Sequence, residues 1–154
     1  KFDLKYKNQK MIITANNPNR KSWLNVNKDS DFPIQNIPFG VFITKEDIIT
    51  IGSRIGDFAI DLGALHQLGY FNGIPLTDDI FLQDNLNDFI ADGRKTWRAV
   101  RNRIAEIFDA ENTSLKNNKK KISTLKFDDK FIKQPEDRNW GDYIKMKGIM
   151  LGNP

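Results

Sequence analysis

Alternating apolar and polar positions between residues 39 and 62 predict three or four short β-strands. Residues 39–44 are bulky and partly β-branched, residues 48–55 resume with Ile-Ile-Thr-Ile, and residues 58–62 alternate apolar with small or polar side chains. Residues 44–47 supply a polar turn. Gly56-Asp57 is typical of a primed hairpin turn, because glycine adopts a positive φ without strain. The pattern predicts a β-meander that forms a small barrel or barrel-like sheet.

A helical spacing follows the predicted strands. Residues 63–68 predict a short helix that Gly69 closes. From Leu86 onward apolar residues recur every three or four positions, which predicts one helix of about 24 residues, roughly 36 Å long. Asn85 is the expected N-cap, and Gly93 marks a bend or a close-packing point. The apolar stripe consists of Leu86, Phe89, Ile90, Trp97, Val100, Ile104, Ile107 and Phe108. The fold class predicted is mainly β with appended helices, ending in this long C-terminal helix.

Residues 31–42, Asp-Phe-Pro-Ile-Gln-Asn-Ile-Pro-Phe-Gly-Val-Phe, suit neither an ordinary helix nor a regular strand. Pro33 and Pro38 each fix φ and push the preceding residue toward extended geometry, so the chain runs extended, bends and enters a strand near Phe39. A segment this rigid and apolar has to pack against something. The polar residues 14–31 before it predict a surface loop around Trp23. The residues predicted to serve core and domain packing are Phe32, Pro33, Asn36, Pro38, Phe39, Gly40, Phe42 and Trp97.

Composition limits the chemistry that the chain can carry. The absence of cysteine excludes a disulfide framework, a thiolate nucleophile and a thiolate metal site. A single histidine, His66, excludes a zinc site built from several histidines. No apolar run approaches the roughly 20 residues of a membrane helix, and no leader suggests secretion, so we expect a cytoplasmic protein without a membrane partner.

The formal net charge of +4 is unevenly distributed along the chain. Residues 11–115 carry 10 basic and 14 acidic side chains, whereas residues 1–10 carry 4 and 1, and residues 116–154 carry 10 and 5. The body is therefore mildly acidic and the ends are basic. The folded part therefore lacks the excess of basic charge that would favour nucleic-acid binding.

Several polar groupings have a structural interpretation beside a functional one. His66 has no paired acid nearby in the sequence and is expected to pack on a helix or at the surface. Asp78-Asp79 fits no calcium loop, and charges that favour a helix start explain it better. The arginines between residues 94 and 103 would suit phosphate or an acidic partner, but neighbouring acids favour a solvated helix face. The lysines of residues 116–121 lack interleaved aromatics and favour a hydrated linker over an RNA or membrane contact.

From residue 11 to about residue 115 the order of features resembles the N-terminal domain of the fumarylacetoacetase family. Ser22-Trp23 lies in the opening loop, and residues 29–42 form the most distinctive stretch. Further matching motifs are Ile51-Gly52, Ile55-Gly56-Asp57, Ile60-Asp61-Leu62 and Leu86-Asn87-Asp88-Phe89, the last followed by Gly93, Trp97 and Arg101.

This resemblance implies an SH3-like barrel with appended helices that precedes a larger, mostly β catalytic domain. The implied activity is hydrolysis of a carbon–carbon bond in 4-fumarylacetoacetate, which gives fumarate and acetoacetate in tyrosine and phenylalanine catabolism. A divalent cation, calcium or magnesium, polarises the β-diketone of the substrate, and a histidine helps activate water. The family's full-length enzyme is a homodimer.

The catalytic residues of the family are not matched in this chain. Gly141-Asp142-Tyr143 resembles the opening of the family's Gly-Asp-Tyr-x-Asp-Phe-Tyr motif. Lys145 then stands in place of the metal-binding aspartate, Lys147 stands in place of the second tyrosine, and no histidine follows. A lysine ammonium repels a divalent cation. We therefore expect no catalytic, cofactor-binding or metal-binding residues here and no hydrolysis by this chain alone.

The predicted organisation has three parts: residues 1–10 as an extension or tag-like segment, residues 11–115 as the family's N-terminal domain, and residues 116–154 as a basic linker and tail. The leading hypothesis is an accessory domain, truncated or frame-disrupted before the catalytic residues, that packs on the catalytic domain and helps shape the dimer. The alternative is a stand-alone SH3-like interaction module whose basic tail binds an acidic partner. An intact enzyme with a different active site is disfavoured by the short chain and the single histidine.

Overall fold

The computed structural model describes residues 13–43 and 48–117. Its strands are β1 (Phe39–Ile43), β2 (Ile49–Ile55) and β3 (Phe58–Asp61), and its helices are α1 (Leu62–Gln67), α2 (Asn87–Ala91) and α3 (Gly93–Ile107). A single 3₁₀ turn, Thr14–Asn16, precedes them. The predictions for residues 1–10, the polar turn at 44–47, and the tail from residue 118, with its Lys145 and Lys147, lie outside the described residues.

The three strands form one antiparallel sheet in the order β1-β2-β3. Val41 lies opposite Ile51 in the first pair, and Ser53 lies opposite Ile60 in the second. Gly56 has a φ of +58° in the turn between β2 and β3, as the hairpin pattern predicted. The expected small antiparallel β-structure with appended helices is therefore confirmed, and the strands lie where the alternation placed them.

One face of the sheet packs against the helices and the loop that connects α1 to α2. A row of aromatic rings runs through this core, with centroids 5.0 Å apart for Phe39 and Phe89, 5.3 Å for Phe89 and Phe81, and 5.4 Å for Phe81 and Phe71. Edge-to-face and tilted geometries of this kind favour aromatic pairs. Four of the largest fully buried side chains are phenylalanines, and isoleucines and leucines fill the space around them.

Strand β3 passes into helix α1 without a loop, because Asp61 ends the strand and caps the helix. Its Oδ1 accepts hydrogen bonds from the Ala64 backbone N–H at 3.0 Å and from Thr50 Oγ1 at 3.0 Å. An aspartate at this position satisfies a backbone donor that the first helical turn leaves free. Helix α1 ends before Gly69, whose φ is +79°, as the sequence predicted.

The single long helix expected from Leu86 is divided into α2 and α3. Gly93 has a φ of +82°, which interrupts the right-handed helical path between the two segments. Helix α2 begins at Asn87 rather than Leu86, and Asn85 Oδ1 accepts the Asn87 N–H at 2.9 Å. The bend considered at Gly93 is therefore present, and the prediction of one continuous helix of roughly 24 residues was wrong.

The chain before β1 packs along α3. Asn102 Oδ1 accepts the Ala15 N–H at 3.1 Å, and Ala15 is fully buried. At the other end of α3, Phe108 O accepts the Trp23 N–H at 3.1 Å. A short antiparallel bridge pairs Ser22 with Asp109. The segment is largely a surface loop, as predicted, and buried Ala15 and Leu24 anchor it to the core.

Candidate interdomain surface

The segment of residues 31–38 is bonded at both ends to the rest of the fold. Phe32 O accepts the Gly56 N–H at 2.6 Å, which attaches the segment to the β2–β3 turn. Asn36 closes a local turn, because its N–H donates to Pro33 O at 2.8 Å and its Nδ2 donates to Asp31 O at 2.8 Å. These bonds explain the role of Asn36 among the predicted packing residues. Pro33 is exposed at the outer side of this turn.

Pro38 and Phe39 are buried within this domain. Ser53 Oγ donates to Pro38 O at 2.7 Å, which links the end of the segment to the middle of β2. Phe39 belongs to the aromatic core through its edge-to-face contact with Phe89. Both residues are buried in the packing of this domain, so they present little surface to a partner.

Phe32 is half-buried beneath an arginine. The Arg54 guanidinium carbon lies 3.9 Å from the centroid of the Phe32 ring, a cation–π geometry. Arg54 Nε also donates to Gly56 O at 2.8 Å, and Asp57 Oδ1 lies 3.6 Å from Arg54 Nη2. Burial lowers the pKa of the Arg54 guanidinium, and the charge of Asp57 acts in the opposite direction.

Trp97 fastens α3 to α2. Its Nε1 donates to Phe89 O at 2.6 Å, and its half-buried ring packs against the core. The bond crosses the break at Gly93, so it holds the two helical segments at a fixed angle. Trp97 therefore serves the packing of the helices and is not part of the segment of residues 31–38.

Gly40 and Phe42 lie on the face of the sheet opposite the core, because side chains alternate along a strand and Val41 between them points inward. We call this face the second face; in the register of the sheet it carries Gly40, Phe42, Thr50, Gly52, Arg54, Ala59 and Asp61. Phe42 is only 7% exposed, and its ring lies across Gly52. A Cβ built on Gly52 would come within 2.2 Å of Phe42 Cε1.

Leu82 borders the second face. A Cβ built on Gly63 would meet Leu82 Cδ2 at 2.8 Å and Thr50 Oγ1 at 3.1 Å, so the leucine side chain lies close to Thr50. Phe81 O, just before the leucine, accepts the Ile51 N–H at 2.8 Å and lies 3.1 Å from Thr50 Oγ1. Sequence reasoning missed Leu82, because its proximity to β2 depends on a contact between positions about 30 residues apart.

The packing residues predicted from sequence therefore separate into four places. Residues 32–36 form the bonded turn beside Arg54, Pro38 and Phe39 lie in the core, and Gly40 and Phe42 lie on the second face. Trp97 lies elsewhere, on α3. No single patch contains all eight, and their role in packing against another domain stays a prediction.

Arg101 is buried, only 4% exposed, and ties α3 to the chain before β1. Its Nη1 donates to Asn16 Oδ1 at 2.9 Å, and its Nη2 donates to Gln35 O. Gln35 Nε2 in turn donates to Asn17 O at 2.9 Å and to Arg20 O at 2.8 Å. Burial lowers the pKa of the Arg101 guanidinium. The Arg101 side chain is therefore buried and stabilises the fold, and it is not part of a solvated basic face of α3.

His66 packs against aromatic rings. Its ring centroid lies 5.6 Å from that of Phe81, edge-on, and 6.3 Å from that of Phe71. This agrees with a packing role on a helix. Within residues 13–43 and 48–117, no group of three or more His, Asp or Glu side chains is placed to hold a metal ion, and no helix is long and apolar enough to cross a bilayer.

Comparison with known proteins bears on this arrangement directly. The family model described as fumarylacetoacetase N-terminal matches residues 35–133, more than half of the chain. The chain belongs to the fumarylacetoacetase N-terminal family. The match begins inside the bonded turn and includes β1 to β3 and α1 to α3. It continues to residue 133, so the family region extends beyond the boundary predicted near residue 115.

Full-length relatives of this family carry the same name. The chain is 41% identical over 100 residues to the fumarylacetoacetase of Dictyostelium discoideum, covering 64% of this chain and 23% of that protein. It is also 41% identical over 100 residues to that of Arabidopsis thaliana, covering 64% and 24%. The human fumarylacetoacetase is 42% identical over 83 residues, covering 52% and 19%. The matched region spans about a quarter of the length of these relatives.

Proposed function

We propose that this chain acts as the N-terminal accessory domain of a fumarylacetoacetase, the hydrolase that cleaves 4-fumarylacetoacetate to fumarate and acetoacetate in tyrosine and phenylalanine catabolism. The observation that carries the proposal is the family match over residues 35–133, supported by relatives of that name at about 41% identity. The domain's part in the reaction is structural. It folds around its aromatic core and packs on the catalytic part of the enzyme.

Catalysis belongs to the remainder of the relatives' length. A calcium or magnesium ion prefers several oxygen ligands, and the described residues offer no grouping of carboxylates that fits such an ion. We therefore assign no step of the hydrolysis to the described residues of this chain, and we expect the chain alone to be inactive. The partners proposed are the catalytic domain and, in the assembled enzyme, a second subunit, in the cytoplasm, with no nucleic acid or membrane.

The finer fold proposed for the sheet is an SH3-like barrel. Segments outside the three strands bond to the sheet, which supports curvature and partial closure. Gly56 donates its N–H to Phe32 O, and Ile51 donates its N–H to Phe81 O, both from positions at or beyond the ends of the β2–β3 pairing. Both faces of β2 are largely buried, as in a small closed sheet.

The test is reconstitution in two pieces. The full 154-residue chain is mixed with a Dictyostelium discoideum fumarylacetoacetase that lacks the region this chain matches, and hydrolysis of fumarylacetoacetate is measured. This truncated relative, called the remainder below, is first shown to be competent by recovering activity with the relative's own N-terminal segment. We expect no activity from the chain alone and at least a tenfold gain for the mixture over the remainder alone.

Two results would contradict the proposal. One is hydrolysis by the chain alone. The other is a mixture that shows neither co-elution nor added activity, although the relative's own segment restores it. If the chain in that case binds polyglutamate and loses this binding when residues 116–154 are removed, the interaction-module alternative takes its place.

A further inference from the structure

We infer that Asn72 is a site of spontaneous deamidation, at which the side chain cyclises onto the backbone nitrogen of Gly73 and the ring then opens to aspartate or isoaspartate. Asn72-Gly73 is the one Asn-Gly pair in the 154 residues. It lies in the loop between α1 and α2, and both residues are exposed. The reaction needs water and no partner protein, so it does not depend on the proposed function.

Both reacting groups of this pair are unengaged. Within residues 13–43 and 48–117, no hydrogen bond involves the Asn72 carboxamide or the Gly73 N–H. The carboxamide lies over Gly69, where a built Cβ would come within 3.0 Å of Asn72 Nδ2, and a Cβ built on Gly73 meets no atom within 4 Å. Neither group therefore has to leave a partner before the ring closes, and no side chain at Gly73 obstructs the approach.

Other asparagines of the described region lack one of these conditions. The carboxamides of Asn36 and Asn112 donate to backbone oxygens at 2.8 Å and 2.7 Å, respectively. Asn25 is exposed and, in the part of the chain that the structure describes, equally unbonded. Val26 follows it, however, and a β-branched side chain crowds the backbone nitrogen that would have to attack. Asn25 is therefore an internal reference that should deamidate slowly.

The backbone explains why a labile pair stands at this position. The Ile74 N–H donates to Phe71 O at 3.1 Å, which closes a turn over Asn72 and Gly73. Gly73 has a φ of +87°, a left-handed conformation that glycine adopts without strain. Asparagine and glycine are both favoured in turns, and asparagine is among the thermally labile residues. The turn thus keeps a chemically reactive pair for conformational reasons.

The reaction has two balanced steps. The Gly73 nitrogen gives up its proton and attacks Cγ of Asn72, the Cγ–Nδ2 bond breaks, and ammonia leaves as a five-membered succinimide forms. One water then adds to either carbonyl of the ring. Cleavage of the bond from Cγ to the Gly73 nitrogen gives aspartate, and cleavage of the bond from the main-chain carbonyl carbon gives isoaspartate. Either product carries a new negative charge at neutral pH.

The two products differ in what they do to the turn. Isoaspartate passes the main chain through the side-chain methylene, so it lengthens the backbone between Phe71 and Ile74, which the hydrogen bond of the turn joins. Phe71 is 1% exposed, and its ring centroid lies 5.4 Å from that of Phe81. We therefore expect isoaspartate to open the turn beside the aromatic core, whereas aspartate leaves the backbone unchanged.

Ageing of the folded full-length chain in heavy-oxygen water tests the site. The chain is held at neutral pH and physiological temperature, and peptide mapping by mass spectrometry follows each asparagine. The heavy oxygen marks conversion during ageing and distinguishes it from conversion during digestion. We expect Asn72 to convert at least tenfold faster than Asn25 and to yield both isomers. An intact Asn72, equal rates at the two positions, or aspartate without isoaspartate would overturn the inference.

Two variants separate the chemical change from its effect on the fold. Asn72→Gln would have to close a six-membered ring, which forms more slowly, so ageing should leave its unfolding temperature unchanged. Freshly prepared Asn72→Asp carries the new charge on an unaltered backbone and should unfold as the unsubstituted chain does. The isoaspartate form, separated by native ion exchange, should unfold at a lower temperature than both. If it unfolds together with Asn72→Asp, the turn does not open, and an equal loss in aged Asn72→Gln would place the damage at another residue.

Discussion

Gly52 is the position where a single methyl group matters most to the sheet. The Phe42 ring rests directly on its Cα, and Ile60 O closes the space from β3. Strand glycines often mark such close approaches, because any side chain there would displace a neighbour. Gly40, paired with Gly52 across the strands, has the same residue type and open space above it. Packing therefore requires a glycine at position 52, whereas it leaves room for a side chain at position 40.

Gly52→Ala is expected to destabilise the full chain. The new Cβ would lie 2.2 Å from Phe42 Cε1 and 2.7 Å from the backbone oxygen of Ile60, so ring and strand must both shift. Overpacking of this kind costs about 1–3 kcal/mol of the free energy of unfolding. Urea denaturation followed by circular dichroism measures it. Gly40→Ala is the matched control and should change that free energy by less than about 0.5 kcal/mol; equal losses in the two variants would contradict the interpretation.

The hydrophobic pattern predicted the positions of the three strands, but it did not show that the last helix is divided into α2 and α3. Alternation and the Gly56-Asp57 turn could place β1, β2 and β3, because both signals are local. The apolar stripe from Leu86 to Phe108 could not reveal the break, because the residues on each side of Gly93 still face the same core. Only the backbone shows that this glycine occupies the left-handed region.

Gly93→Ala tests the break between α2 and α3. An alanine at a φ of +82° suffers the left-handed penalty of about 1–2 kcal/mol, and the lower entropy of the unfolded alanine chain offsets part of it. We expect a net loss of about 1 kcal/mol in the free energy of unfolding. Urea denaturation provides the measurement, with Gly93→Asn as the companion variant because asparagine tolerates this region better. Stabilisation by alanine would mean that α2 and α3 form one continuous helix in solution.

The candidate surface could be predicted from sequence only in part. The rigid run at residues 31–42 was recognised as a packing segment, and the structure shows that Phe39 and Pro38 pack inside the domain. Leu82 carried no distinct local signal, because it follows the apolar Ile80 and Phe81, which are buried in the core, and its own position depends on the Thr50 contact. The chain before β1 looked like a polar loop, because the bonds that hold it come from α3, more than 80 residues later.

On the scale of the whole molecule, long-range side-chain bonds make the described parts one cooperative unit. Arg101 reaches from α3 to the 3₁₀ turn and to Gln35, and Gln35 continues the network to Arg20. Trp23 Nε1 donates to Ile107 O at 3.0 Å, and the Trp23 and Phe108 rings stack at 5.2 Å. Loss of one such bond is therefore expected to destabilise residues that lie far from it in the sequence.

Arg101→Met should lower the stability of the entire domain rather than free the N-terminal segment alone. The substitution leaves Gln35 O and Asn16 Oδ1 without this donor, at a cost of about 1–3 kcal/mol in the free energy of unfolding. In a Trp140→Phe background the fluorescence comes from Trp23 and Trp97, and it should unfold at the same urea concentration as the circular dichroism signal. Arg101→Lys should recover little, since an ammonium cannot reproduce the guanidinium fork. Separate transitions for the two signals would show that the segment unfolds on its own.

The bridge between Ser22 and Asp109 has a mechanical consequence. The two chain segments run antiparallel there, with the Trp23 N–H on Phe108 O and the Ala110 N–H on Lys21 O. Ala15 before the bridge and Leu115 after it are both buried, so the described chain is anchored on either side of it. Lys21 and Ala110 leave the bridge at the same end. A pull that separates these two residues therefore opens the hydrogen bonds of the bridge one at a time instead of shearing them together.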